Sequence, residues 1–415
     1  MLKVEKFTCV LALFMLLNAK GFSTVSIQLD SMVLAKVKQK LHDGTASERT
    51  QIAYKALIAS ANKLLSIKNP TVMDKTIVPP SGNKHDYLSI SRYWWPNPEV
   101  SNGLPWIRKD GETNPDTQTD AVDRKRLGTM TGGVKSLSLA YYFSGDERYA
   151  EKAASMLKTW FLDDTTRMHP HLEYAQSVPG YSKRRSSGIL DGKSIAAVVP
   201  DAVAILSKSA HWTQNDTQKI NQWLTDYVTW LTESNLGKTE NNQNNNHASW
   251  YKYQVATLAL YLGNKPLAKD MVNLAQQSLE QQLDAEGKQT HEIARTRSFF
   301  YSCYNLDALT SIAMVGDKVG LDMWNYKTKD GKSLMLAFKY LAPVINGEAW
   351  PYTDIHGTDV SDLMDALARM SVYAPSKEIS SLLKKSIAIL IEKEQATGKK
   401  NEDLQSLSLT SSLFL

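Results

Sequence analysis

The chain has 415 residues, of which 42% are apolar and 22% charged, the profile of a globular protein rather than a disordered or fibrous one. Its formal net charge of +5 is too mild to imply a nucleic-acid partner, but suits an acidic polymer if the charge is gathered in a groove. Beyond the first residues no apolar stretch is long enough to cross a bilayer, so no membrane partner is expected.

Residues 1–21 read as a secretory signal. Lys3 and Lys6 precede an apolar run over 7–17, and Ala19 and Gly21 supply the small-residue cleavage pattern. The expectation is an exported chain whose mature domain covers 22–415, periplasmic first and secreted second. No cysteine follows the cleavage position to carry a lipid, and once Cys9 leaves with the signal, Cys303 has no partner for an internal disulfide.

Apolar residues at helical spacing predict helices over 32–41 and 50–65. The next stretch, 67–116, holds seven of the chain's 14 prolines and predicts a long irregular segment. A loop of that length in a compact domain is usually functional. Its Tyr93-Trp94-Trp95 block offers flat aromatic faces on which sugar rings stack, or else a hydrophobic plug. Helices are then predicted over 134–143, 149–161, 194–207, 213–232, 247–262, 266–283, 298–315, 333–341, 360–372 and 377–396, with 169–192 irregular and a short closing element over 404–415. No alternating run of convincing strand length is present. Helical hairpins recurring every 45–60 residues suggest an all-α fold, an incomplete (α/α) toroid in one catalytic domain, as monomer or weak oligomer.

Two stretches stand out chemically. In the first, Asn244, Asn245 and Asn246 precede His247, and Trp250 and Tyr251 follow as an apolar helical pattern begins. Asparagines cap helices well, so a capped helix with a histidine in its first turn is the plain reading. In the second, Glu292, Arg295 and Arg297 lead into Tyr301 and Tyr304, which a helix would place on one face. Core packing does not account for arginines beside those rings. Together with 85–96, and with 170–176 carrying Tyr174 and Gln176, these stretches resemble the alginate lyase superfamily of polysaccharide lyases. The likeness runs over residues 80–360.

The resemblance implies an α/α toroid and β-elimination of a uronic acid polymer, alginate or glucuronan. Removing the C5 proton places further negative charge on the adjacent carboxylate, so donors or cations must neutralise it. Asn246, His247 and Arg295 have the right chemistry, and the resemblance implies the same task. Tyr301 would exchange protons at C5 and O4, an arginine beside it favouring phenolate. One tyrosine could serve as base and then acid on a mannuronate-type residue. On a guluronate-type residue His247 would take the proton while Tyr301 donates. Tyr93, Trp94, Trp95, Tyr174, Gln176, Arg184, Tyr251, Arg297 and Tyr304 are candidate substrate contacts.

Helical geometry leaves the register open. Arg297, Tyr301 and Tyr304 would share one face of a continuous helix, whereas the family pattern points to Arg295 and Tyr301. Both hold if the helix begins near Ser298 and Arg295 lies in the loop before it. His169 and His171 have metal-pair spacing, with His85 and Asp86 as possible additions. Without a cysteine cluster or a third spaced histidine, no metal or cofactor is expected to take part. Two other functions fit the same scaffold. One is a glycoside hydrolase acting on uronate oligosaccharides, with carboxylates drawn from Asp191, Glu292 and Asp354. The other is a non-catalytic polysaccharide-binding protein.

Overall fold

A computed structural model describes residues 26–415; the signal-peptide reading lies outside them. The chain winds through α1 (Ser31–His42), α2 (Glu48–Leu65), α3 (Arg124–Ser144), α4 (Glu147–Leu157), α5 (Lys193–Leu206), α6 (Gln214–Glu233) and α7 (Asn235–Asn241). It continues through α8 (Asn246–Tyr261), α9 (Lys265–Gln282), α10 (Thr290–Ile293), α11 (Ser298–Val319), α12 (Leu334–Ile345), α13 (Met364–Tyr373), α14 (Lys377–Thr397) and α15 (Glu402–Thr410).

Successive hairpins curl into the expected α/α toroid. Helices α3, α5, α8, α11 and α13 pack side by side along the inner wall, while α4, α9 and α14 each back one of them. The last helix, α15, lies against α2 and α1, the first helices among the described residues. The innermost helix is recognisable from its composition: every residue of α8 from Ala248 to Tyr261 is buried, as expected of a helix surrounded by others.

Several expectations need correction. Helix α3 begins at Arg124 rather than near 134; its first turns do bury Leu127 and Met130, but three glycines and two threonines among them mask the helical pattern. Helix α7 escaped prediction because its seven residues have no apolar period. Four very short strands occur: β1 (Leu88–Ile90), β2 (Trp94–Trp95), β3 (Ile107–Arg108) and β4 (Tyr174–Ser177). β1 pairs in parallel with β4, and β2 pairs antiparallel with β3. Both pairings belong to the two irregular segments, which fold over one end of the toroid.

Candidate active site

The first turn of α8 lies where that end of the toroid opens. Asn245 caps the helix by accepting the His247 backbone N–H at 3.1 Å, so the capping reading of the asparagine run is correct as far as it goes. The next two side chains are held by carboxylates instead. Asn246 donates its backbone N–H and its side-chain amide to the two oxygens of Glu292, at 2.6 and 2.7 Å. His247 Nδ1 lies 2.6 Å from Oε1 of Glu240, a carboxylate only 1% exposed. An ionised carboxylate only accepts, so Nδ1 donates in this contact, and in the neutral imidazole the lone pair then falls on Nε2.

Helix α11 begins at Ser298, which leaves Arg295 in the preceding loop. Its guanidinium makes a two-point contact with Asp110, Nε at 2.9 Å and Nη2 at 2.7 Å, and lies 3.8 Å from the centre of the Tyr301 ring. The loop bearing Asp110 approaches very closely. Gly111 has φ +82°, and a Cβ there would stand 2.5 Å from Thr296 Oγ1, so only glycine fits. The Tyr301 hydroxyl donates to the Tyr93 hydroxyl at 2.8 Å. Asn246, His247, Arg295 and Tyr301 are thus brought to one region, with Arg295 in the loop and against the Tyr301 ring while Arg297 lies over Phe300.

Electrostatics follow from burial. Burial pushes Tyr301 up, and although the Arg295 charge opposes that shift, the phenol stays well above its ordinary range. The expected phenolate-favouring effect of arginine is therefore present but outweighed in the free protein. Burial also raises Asp110, yet the Arg295 hydrogen bonds and charge overcome it and hold the carboxylate well below the usual value. Burial raises Glu292 despite the Asn246 hydrogen bonds.

A groove with a cavity volume of about 510 Å³ opens beside His247, lined among others by Trp94, Tyr181, Arg184, Arg185 and Asn245. Arg185 lies over the Trp94 ring at 5.2 Å. Arg184 lies over Tyr174 at 4.8 Å and pairs with Glu173. Gln176 adopts a left-handed backbone, φ +49°, and donates its amide to Asp191 at 3.0 Å. Trp95 faces away from this cavity, its indole N–H donating to the Glu112 carbonyl at 3.1 Å under the Lys109 ammonium. Arg297 stacks on Phe300 at 4.0 Å and its backbone bridges to Asp354. Tyr304 packs against Trp250, ring centres 4.9 Å apart.

Tyr251 corrects an expectation. It is 2% exposed and its hydroxyl donates to the Leu231 carbonyl at 2.9 Å, so it joins α8 to α6 and does not reach the groove. Asp110, Glu240 and Lys193 went unnoticed in the sequence. The two acids look like surface charges in polar stretches, and Lys193 opens an apolar helix where a lysine is unremarkable. The Lys193 ammonium lies 4.3 Å from the Trp250 ring centre and 4.4 Å from that of Tyr304. A second cavity, about 350 Å³, lies on the far side of Trp250 and Lys193 and contains none of the four residues above.

The carboxylates needed for hydrolysis are occupied. Glu292 holds Asn246, Asp354 accepts the Phe299 N–H at 3.1 Å, and Asp191 receives Tyr87, Ser89, Gln176 and Arg124. None of these forms a free facing pair across the groove.

Comparison with known proteins agrees with this architecture. The alginate lyase family model matches residues 71–350. The crystal structure of an alginate lyase from Bacteroides ovatus aligns with a TM-score of 0.83 at 35% identity, covering 94% of this chain and 99% of that one. Alginate lyase A1-III from Sphingomonas species A1 aligns with a TM-score of 0.52 at 16% identity, covering 85% and 92%. A variant of A1-III complexed with a tetrasaccharide gives 0.56 at 16%, covering 86% and 92%. At that identity the A1-III structures speak for the fold alone. No curated protein sequence matches the chain.

Proposed function

The chain belongs to the alginate lyase family and is a polysaccharide lyase, and we propose that it cuts alginate by β-elimination, with Asn246, His247, Arg295 and Tyr301 carrying the chemistry. The observation that supports these roles is shared by all four residues. Each reaches the same region and is held there by a partner: Glu292, Glu240, Asp110 and Tyr93 respectively. Groups fixed in advance stabilise developing charge without reorganising, which is worth several kcal/mol per transition state.

In this reading Arg295 and the second amide hydrogen of Asn246 receive the C5 carboxylate, joined by His247 through an Nε2–H when its imidazole is protonated. Tyr301 rests as a neutral phenol and supplies the proton to O4. On a guluronate-type residue His247 takes the C5 proton through Nε2, its other nitrogen held by Glu240. On a mannuronate-type residue Tyr301 must first lose its proton to solvent, with Tyr93 taking it and releasing its own hydroxyl proton to water in the same relay. Trp94, Arg184 and Arg185 form a wall that stacks sugar faces and pairs with uronate carboxylates, with Tyr174 and Gln176 behind them. Glucuronan is a second substrate of the same chemistry. The same proposal includes export to the periplasm, which fits the features of residues 1–21; among the described residues no helix is long and apolar enough to cross a membrane.

The test is absorbance at the enoate band with alginate, polymannuronate, polyguluronate and glucuronan. A rise with alginate is expected. New reducing ends without absorbance would indicate hydrolysis, and retention of intact polymer would indicate a binding protein.

A further inference from the structure

Asp86, His169 and His171 come together just ahead of the paired strands β1 and β4. His169 Nδ1 lies 2.6 Å from Asp86 Oδ1, and His171 Nε2 lies 3.1 Å from the same oxygen. One ligand-type atom from each residue falls within 4.8 Å of the other two. We propose that these three side chains form a zinc site that staples the loop before β1 to the loop before β4.

The donor set argues for the metal. Two imidazoles and one carboxylate are the ligands of a borderline-soft ion, whereas calcium and magnesium take oxygen shells. Tetrahedral zinc ligands at about 2.1 Å from the ion stand about 3.4 Å from one another. The two nitrogen–oxygen separations therefore need only a slight opening, while the two nitrogens already lie within 4.8 Å of each other. The Asp86 carboxylate is 8% exposed, while the His169 and His171 side chains are 37% and 24% exposed. The site is thus closed behind the acid and open to water in front, where a fourth ligand would enter.

The surroundings support the ligands. Ser81 Oγ donates to the remaining Asp86 oxygen at 2.6 Å, the outer-shell contact that orients a ligating carboxylate. The His169 N–H donates to the His85 carbonyl at 2.9 Å, which ties the two loops together. The His85 ring stacks on that of His169, centres 5.3 Å apart. Arg184, the nearby cation, pairs with Glu173, so it does not take the place of an ion. His171 Nδ1 faces the Glu173 N–H at 3.4 Å, a contact long enough to be given up when the ring proton moves to Nδ1.

The consequence concerns position rather than chemistry. Leu88 pairs with Tyr174 at the start of the strand pair, a few residues beyond the cluster on both chains. A bound ion would hold that register and, through it, Tyr174, Gln176 and the Tyr93 segment. Of the two additions that the sequence offered to the histidine pair, the fold brings in Asp86, 83 residues from His169, and stacks the His85 ring on His169 instead.

The test uses the chelator-stripped full chain. Zinc is titrated against a chromophoric competitor, and thermal unfolding is followed with and without the ion. One zinc per chain is expected, with Tm rising by roughly 3 °C or more at saturation. His169→Gln and Asp86→Asn should lose the site, and Ser81→Ala should weaken it about tenfold. His42→Gln, on an exposed helix, should bind like the parent. If Asp86→Asn fails to fold, the surface substitution His169→Gln decides. Absence of stoichiometric zinc in the parent, or unchanged binding in His169→Gln, overturns the proposal.

Discussion

The hydroxyls of Tyr301 and Tyr93 lie 2.8 Å apart, with Tyr301 donating, although 208 residues separate them. The contact joins the second turn of α11 to the aromatic segment of the long irregular stretch. It also holds a buried phenol, pushed upward by burial, in a hydrogen bond to a hydroxyl that can pass a proton on only by releasing its own. In the proposed mechanism Tyr301 is the acid, so removing its oxygen isolates that role.

Tyr301→Phe keeps the ring and its contact with Arg295. Turnover on alginate should fall by about a hundredfold or more, the usual scale for a general acid–base group, with little change in KM. Tyr304→Phe should be far milder, because Tyr304 packs on Trp250 and Phe300. A dead Tyr304→Phe beside an active Tyr301→Phe would reverse the assignment and move the mechanism to Arg297.

Glu240 acts through His247. Glu240→Gln should lower kcat about tenfold to a hundredfold and alter the pH–rate profile more on polyguluronate than on polymannuronate, because only the former needs His247 as base. His247→Ala should be more severe on both substrates, since the protonated imidazole is also a donor to the carboxylate. Equal profiles for Glu240→Gln and the parent on polyguluronate would make Glu240 a purely structural partner.

Asp110 fixes Arg295 at two points. Asp110→Asn keeps the shape but loses the charge, and should reduce kcat/KM about tenfold or more. Its depressed pKa adds a stability signature. A carboxyl held below its unfolded value contributes stability that is present above about pH 4 and lost as pH falls through the folded value. Acid unfolding of the parent should therefore be shifted relative to Asp110→Asn, the difference shrinking toward low pH. Chemical denaturation across pH 2–7 measures it.

Trp94 lines the groove, whereas Trp95 and Tyr251 do not. Trp94→Ala should raise KM for long chains more than for short oligomers. Tyr251→Phe should leave KM unchanged and cost about 1 kcal/mol of stability by stranding the Leu231 carbonyl, a difference that kinetics and melting curves separate.

Burial lowers Lys193 to about 8. The sign is that of a depressed lysine: the unfolded chain holds the proton more tightly, so ionisation destabilises the fold fully below about pH 8. That penalty fades as pH rises toward the unfolded value near 10.4. The rings of Trp250 and Tyr304 offset part of it. Lys193→Met should therefore stabilise the protein at pH 7, by on the order of 2 kcal/mol, and lose its advantage by about pH 10. Destabilisation at pH 7 would show that the cation–aromatic contacts dominate.

The sequence by itself determined the helices and the toroid, because helical periodicity is local: residues three and four apart must face the same core whatever their distant neighbours. It also carried the two stretches at 244–251 and 292–306, since a capped helix start and an arginine-bearing loop before an aromatic helix are written in consecutive residues. Tertiary structure alone decided what those residues hold. Asp110 lies 185 residues from Arg295 and Tyr93 lies 208 from Tyr301, and no periodicity spans such gaps. The same reason hid β1 and β4, whose two partners are too short to have a pattern of their own and exist only as a pair. Tyr251 shows the opposite case: its position beside His247 made it look like a contact for substrate, but one helical turn deeper the neighbouring helix already occupies that face.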